Sequence, residues 1–343
     1  MVECILTVDY EIYGDGHGSL KDLVYEPARR LKALFDEAGA KLVIFVEAAE
    51  LEKIDAFGCD PAINDVKRQI REFHQDGHEI ALHIHPQWCN ARYQDGAWKL
   101  DYDEYSLGRL SEQRIDAIIG QSIAYLRCVL GDPAFAPISF RAGNWLLQPT
   151  AKIARVLTRQ GIKIDSSVYK GGRQRKHGLD YRPASTNGYY WHFSDDVNIA
   201  DPNGSLLEIP VHTRMVPFWK MATGKRLGLQ YKANSVSKSA RDRVGRLLDL
   251  ARFHHPLKFD FCRMNITELI CTIEAASHAD QSNPESHKPI VAIGHTKDLE
   301  DFDTIHALLS YLRQKAIRIT TLRTFEREHA PGRGSSNLFA SRS

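Results

Sequence analysis

His83 and His85 stand two residues apart near the end of the run Gly77-His78-Glu79-Ile80-Ala81-Leu82-His83-Ile84-His85-Pro86. In an extended chain, residues two apart leave the same face, so these two imidazoles can act together, while His78 leaves the opposite face. Two imidazoles at a strand end make a ready pair of metal ligands. Other segment ends supply the company that would complete a site: Asp9 and Glu11 near the N-terminus, then Arg141, Asp165 and His295. A carboxylate with two imidazoles suits Zn²⁺ or a similar divalent ion, with positions left for water and substrate. Such an ion acidifies water and polarises a carbonyl, which is the chemistry of hydrolysis. Each residue alone has a plainer reading: a partly buried histidine, a structural salt bridge at Arg141, a turn cap at Asp165. Their joint placement at strand ends favours a site.

The segments that carry these residues alternate. Glu3 to Tyr10 is a strand-like apolar run that stops at a glycine-rich loop, Tyr13-Gly14-Asp15-Gly16-His17-Gly18. Ala28, Leu31, Leu34 and Phe35 fall on one helical face between Pro27 and Ala38, and Lys41–Val46 is a second strand of the fully apolar kind. A helix over Ala62–His74 leads into the histidine strand. Asn90–Gly108 breaks the rhythm as a polar, aromatic insertion with Tyr93, Trp98, Tyr102 and Tyr105. Helix Ser111–Leu130, strand Pro137–Phe140, helix Pro149–Gln160 and strand Ile162–Ser166 resume it. The pattern is lost from Tyr169 to Pro202, where Lys170, Arg173, Arg175 and Lys176 form a basic run. Strands are expected at Leu206–Val211, Pro289–Gly294 and Ile317–Leu322, and helices at Val236–Phe253, Met264–Ala276 and Phe302–Ala316. Such alternation predicts a parallel sheet with helices outside it, in which the carboxyl ends of the strands gather on one rim. The expected organisation is one domain over 1–327, with insertions near 89–110 and 169–282 and a disordered Gly/Ser/Arg-rich tail over 328–343.

At 343 residues and 43% hydrophobic content the chain can bury a large core, and 45 Lys+Arg against 43 Asp+Glu give a net charge of +2. That balance offers nothing for nucleic acid or a membrane surface to recognise. Six cysteines lie scattered without Cys-x-x-Cys spacing, as free thiols of a reducing compartment would. With no basic segment followed by an apolar core at the N-terminus and no apolar run of membrane-spanning length, the expected location is the cytoplasm.

The chain resembles the NodB-homology polysaccharide deacetylases, a carbohydrate esterase family of metal-dependent deacetylases. Their Thr-Phe-Asp-Asp motif is matched by Thr7-Val8-Asp9-Tyr10-Glu11, and their Gly-His-Glu-Ile lead-in to the histidine motif by Gly77 to Ile80 and then His83. Phe140-Arg141-Ala142-Gly143 resembles their arginine motif, Asp165-Ser166-Ser167 their Asp-x-Ser, and Ile293-Gly294-His295 their final histidine motif, all in family order. Two positions depart: the usual second aspartate is Tyr10, so Glu11 is the candidate metal carboxylate, and the usual second metal histidine is Gln87, with His85 as the near substitute. The resemblance implies a distorted β/α barrel of the glycoside hydrolase/deacetylase type holding a divalent ion, usually zinc, on Glu11, His83 and His85. It implies Asp9 as general base, His295 as the acid that protonates the leaving amine, Arg141 as the holder of Asp9, and Asp165 as the residue that orients His295. The expected substrate is an acetamido sugar of a surface polysaccharide, such as an O-antigen, or its precursor. The alternatives are a non-sugar amide or cyclic imide, or a non-catalytic carbohydrate-binding protein.

Overall fold

The computed structural model describes residues 1–221, 225, 254–282 and 287–329. Its centre is a sheet built outward from β1 (Val2–Tyr10), which is buried along its whole length. Such two-sided burial favours apolar residues, which predominate in β1, β2 (Val43–Glu47) and β3 (Glu79–Ile84), while Thr7, Asp9 and His83 are buried with polar partners. Among the described residues, nine strands make the sheet. They run in the order Trp191–Phe193, Leu206–Glu208, Ile164–Asp165, Ser139–Ala142, β3, β2, β1, Lys288–His295, with Arg318–Thr320 beside the first half of β1. Pairing is parallel except between Trp191–Phe193 and Leu206–Glu208. The sheet curls until Val211, just past Leu206–Glu208, bridges Val291, and Asp260 bridges Ile293 on the same strand. The result is a distorted β/α barrel.

Helices cover the outside. α1 (Glu26–Glu37) buries Ala28, Leu31 and Phe35, and α3 (Ile63–Gln75) buries Val66, Ile70 and Phe73. α4 (Glu112–Leu130) starts where Ser111 Oγ accepts from the Arg114 amide at 3.2 Å and ends at Gly131, in the left-handed conformation that suits glycine. α5 (Ala151–Arg159) and the helices Ile266–Ser282 and Phe302–Gln314 continue the layer.

The sequence did not reveal α2 (Ala48–Phe57). It follows β2 with no intervening loop, and its N-cap is the strand's own last residue, Glu47, whose carboxylate accepts from the Glu50 amide at 2.5 Å. The helix Leu322–His329 also extends order past the expected start of the tail, so Glu328 and His329 are structured. The expected helix Val236–Phe253 and residues 330–343 lie outside the described residues. No described helix is long and apolar enough to cross a membrane, and all six cysteines are unpaired.

Two glycines test this packing. A Cβ on Gly143 would lie 2.6 Å from the Ile84 carbonyl oxygen and 2.7 Å from the His85 ring, whereas one on Gly120, inside α4, would meet nothing nearer than 3.7 Å. Gly143→Ala should cost about 1–3 kcal/mol from overpacking. Gly120→Ala should gain about 0.5–1 kcal/mol from helix propensity. Denaturant midpoints moving in opposite directions would bear this out; midpoints moving together would contradict it.

Candidate metal and catalytic centre

Strand alternation decides what the end of β1 presents. Asp9 faces the barrel interior, and Tyr10 faces outward, where its hydroxyl donates to Gln69 Oε1 of α3 at 2.6 Å. Tyr10 is therefore a packing residue, and the next inward position is Glu11. Thr296 Oγ1 fixes that turn, accepting from the Glu11 amide at 3.2 Å and donating to its carbonyl at 3.1 Å.

His83 lies on β3 with its Nδ1 donating to the Arg141 carbonyl at 2.8 Å. A carbonyl can only accept, so Nδ1 keeps its hydrogen, and the proton that His83 gains or loses sits on Nε2, 3.5 Å from Glu11 Oε2. His85 Nε2 is 3.0 Å from the same oxygen. Its turn is fixed by Glu47 Oε1, which accepts from the His85 amide at 2.5 Å. In a tetrahedral zinc site with bonds of about 2.0–2.1 Å, neighbouring ligands are about 3.3 Å apart, and the two imidazole–carboxylate gaps bracket that spacing. Glu11, His83 and His85 thus fit a divalent ion. Gln87 sits behind them: its amide nitrogen is 3.3 Å from His85 Nδ1, and its Oε1 is buried without a partner. Asn144 Nδ2 faces the same ring nitrogen at 3.2 Å; with both amides turned end for end, their oxygens accept from Nδ1–H and His85 Nε2 is free for an ion.

Asp9 stands beside this trio. Its Oδ1 accepts from Arg141 Nη1 at 2.6 Å, while Oδ2 faces His295 Nε2 at 3.5 Å and His83 Nε2 at 3.9 Å. Burial pushes the Asp9 carboxyl up, but Arg141, His83 and His295 outweigh it and hold it below its ordinary value. Glu11 is held well below the usual range, because Lys297, 2.7 Å from Oε1, and His85 overcome its burial. His83 goes the other way: burial lowers it, yet Asp9 and Glu11 raise it to about 9. Burial keeps His85 and His295 below the ordinary imidazole value. His78, by contrast, accepts from the Leu42 amide through Nδ1 at 3.0 Å, far from these contacts.

Asp165 does not orient His295. Its carboxylate accepts from the amide and hydroxyl of Ser167 at 3.1 and 2.7 Å, and it pairs with Glu208 on the adjacent strand. It takes no part in lining the cavity over the site. The carboxylate nearest His295 Nδ1 is Asp298, at 4.0 Å, itself held by Arg263 Nη2 at 2.6 Å. That cavity measures about 710 Å³ and is lined by Asp9, Glu11, His83, His85, Arg141 and His295 together with Asn144, Arg263, Lys297 and Asp298. Lys297 and Asp298 were discoverable, because they follow directly on the strand that ends at His295. Arg263 and Asn144 had no signal in spacing or periodicity. The basic run contributes no lining residue; Lys170 Nζ instead donates to the carbonyls of Asn187 and Gly188.

No family model matches the sequence, and no curated protein matches it. Solved structures do resemble it. A protein from Mycobacterium smegmatis assigned as a polysaccharide deacetylase gives a TM-score of 0.54 at 15% identity, covering 95% of this chain and 89% of that one. A GH57-type branching enzyme from the hyperthermophilic archaeon Pyrococcus horikoshii gives 0.54 at 12% identity, over 96% and 71%. The Puue allantoinase gives 0.51 at 12% identity, over 96% and 91%. At these identities the likeness is one of fold: the chain has the distorted barrel of these structures.

The charge pattern yields a prediction for ion uptake. At neutral pH His83 carries a proton that the ion must displace, whereas His85 and Glu11 do not. Zn²⁺ binding at pH 7 should release about one proton per ion, and affinity should climb with pH until about 9. Calorimetry in buffers of different ionisation enthalpy measures this release; proton-neutral binding would contradict the arrangement.

Proposed function

We propose that the protein is a metal-dependent hydrolase that removes an acyl group, N-acetyl in the main, from a sugar of a surface polysaccharide or its precursor. The observation that carries this reading is the convergence of Glu11, His83 and His85 within ion-binding reach, directly beside an Asp9 held ionised by Arg141. The precursor would be met in the cytoplasm, which the unpaired cysteines support, and the chain would act as one domain with insertions near 89–110 and 169–282.

A zinc ion held by Glu11, His83 and His85 would supply Lewis acidity towards the amide carbonyl and make water available as a nucleophile near neutral pH. Asp9 takes the proton from that water through Oδ2, since Oδ1 is occupied by Arg141. His295, 3.5 Å from Oδ2, starts the cycle neutral. The proton then passes from Asp9 to His295, since a carboxyl held below its ordinary value gives its proton up readily. His295 then protonates the departing amine, with Asp298 stabilising the imidazolium. Arg141 holds Asp9 in line, as the motif resemblance implies.

Asp9 and Glu11 have separable roles. Asp9→Asn should leave metal content near that of the wild type and lower the rate of acetate release from an N-acetylated sugar by about 10²–10⁴-fold, since an amide cannot accept the proton. Glu11→Gln should lose the ion as well as the rate. Elemental analysis with an acetate assay distinguishes them: if Asp9→Asn empties the site and Glu11→Gln does not, the roles are exchanged. If both variants keep metal and rate, this rim is not the catalytic centre.

A further inference from the structure

A second group of imidazoles and carboxylates lies at the end of the barrel away from the catalytic rim. On β1 the side chains of Glu3, Thr7 and Asp9 leave the same face, because the strand pairs with Lys288–His295 in unbroken register. Glu3 therefore faces the same interior as Asp9, about 20 Å lower along the strand. The helix Leu322–His329 closes that end. Its Phe325 is fully buried, with Tyr190 edge-on at 5.1 Å, and its Arg323 amide donates to Glu79 Oε2 at 2.8 Å. The last two residues of the helix, Glu328 and His329, come down beside Glu3.

Three polar atoms here are buried with nothing to bond. Glu3 is 1% exposed, and its Oε2, His329 Nε2 and His287 Nδ1 have no hydrogen-bond partner among the described residues. Burial of unbonded polar atoms is costly, and native structures rarely keep it without a reason. Two of these atoms face each other: Glu3 Oε2 and His329 Nε2 are 3.4 Å apart. That is long for a hydrogen bond and close to the spacing of about 3.3 Å between neighbouring ligands of a tetrahedral zinc ion. Glu328 Oε2 is 3.8 Å from the same nitrogen, and the three ligand atoms lie within 4.8 Å of one another.

The surroundings suit a cation. Arg318 Nη1 donates to Glu3 Oε1 at 3.1 Å and to Glu328 Oε2 at 2.5 Å. Glu3 is thus anchored through one oxygen and left open at the other, the division that Glu11 shows between Lys297 and the imidazoles. Glu328 Oε2 keeps a second lone pair beyond the bond from Arg318, and the residue's exposure lets water complete the coordination. His287 stacks on His329 with ring centroids 3.7 Å apart and planes at 25°, which fixes the plane of the ligating ring. We propose that Glu3 and His329, with Glu328 as third ligand, form a second divalent-metal site, of the carboxylate and imidazole class that takes Zn²⁺, at the base of the barrel. The ion staples the helix Leu322–His329 to β1 and so joins the first and last elements of the described barrel. Its role is structural, since the amino ends of barrel strands carry stability and the carboxyl ends carry chemistry.

The test counts ions in the intact chain by elemental analysis after loading with Zn²⁺ and dialysis. The wild type should hold one Zn²⁺ per chain more than His329→Ala, and Glu3→Gln should match His329→Ala. Anomalous diffraction at the zinc edge from the wild type needs no variant to fold: a peak should lie about 2.0–2.2 Å from Glu3 Oε2 and His329 Nε2, roughly 20 Å from the catalytic centre. Equal counts in the wild type and a folded His329→Ala, or no peak beside Glu3, overturns the site. The difference in counts does not depend on the catalytic centre. One ion in the wild type and none in His329→Ala leaves the base site standing and removes the ion from Glu11, His83 and His85. His329→Ala also isolates the catalytic centre for the measurement of proton release.

Discussion

A fully buried ion pair between Arg141 and Asp9 sets the shape of this molecule. Arg141 sits on Ser139–Ala142 and Asp9 on β1, with β3 and β2 between them. Three strand spacings in a flat sheet amount to about 14 Å, more than an arginine side chain can span, so the 2.6 Å contact exists only because the sheet curls into a barrel. A lone charge buried there would cost several kcal/mol. The guanidinium meets that cost with bonds to Asp9, the Ser166 carbonyl at 2.9 Å and Thr7 Oγ1 at 3.0 Å, and by stacking 3.9 Å over the Phe45 ring. Curvature, burial and pairing thus support one another.

The electrostatics of the site descend from that pair. Because one oxygen of Asp9 is committed to Arg141, the carboxylate presents a single oxygen towards His83 and His295. In the proposed site the ion's place falls instead to Glu11, which divides its two oxygens in the same manner, Oε1 to Lys297 and Oε2 to the imidazoles. Two neighbouring carboxylates, each with one oxygen anchored by a cation, are kept apart in role although both lie on one strand end. Without those cations, burial would press both carboxyls towards protonation, and neither base nor ligand would be ready at neutral pH.

Much of this was legible in the sequence because strand alternation and strand-end placement are local rules. His83, His85, Asp9 and Glu11 announced themselves by spacing, and the expected opposite facing of His78 followed from the same period. Asp165 misled for an instructive reason: its motif position is right, but its partner is set by tertiary neighbours, and Glu208 from the adjacent strand competes for it. Asn144 and Arg263 were hidden because their roles depend on a strained turn and on a returning segment, neither of which leaves a periodic trace. α2 was missed because its cap, Glu47, belongs to the preceding strand, so no turn residue separates the two elements. The exposed ring of Tyr102 could be told from the packed ring of Trp98 only in three dimensions, since both come from one aromatic stretch.

The central claim is that the ion belongs to Glu11, His83 and His85, with Asp9 left on Arg141. Anomalous diffraction at the zinc edge from metal-loaded crystals tests it most directly. The account predicts a strong peak about 2.0–2.2 Å from Glu11 Oε2, His83 Nε2 and His85 Nε2, with the Asp9–Arg141 contact intact. Asp9, Glu11 and His295 also lie close enough together to hold an ion. A peak bonded to Asp9 and His295 without the imidazoles of the histidine strand, or no peak at all, would contradict it.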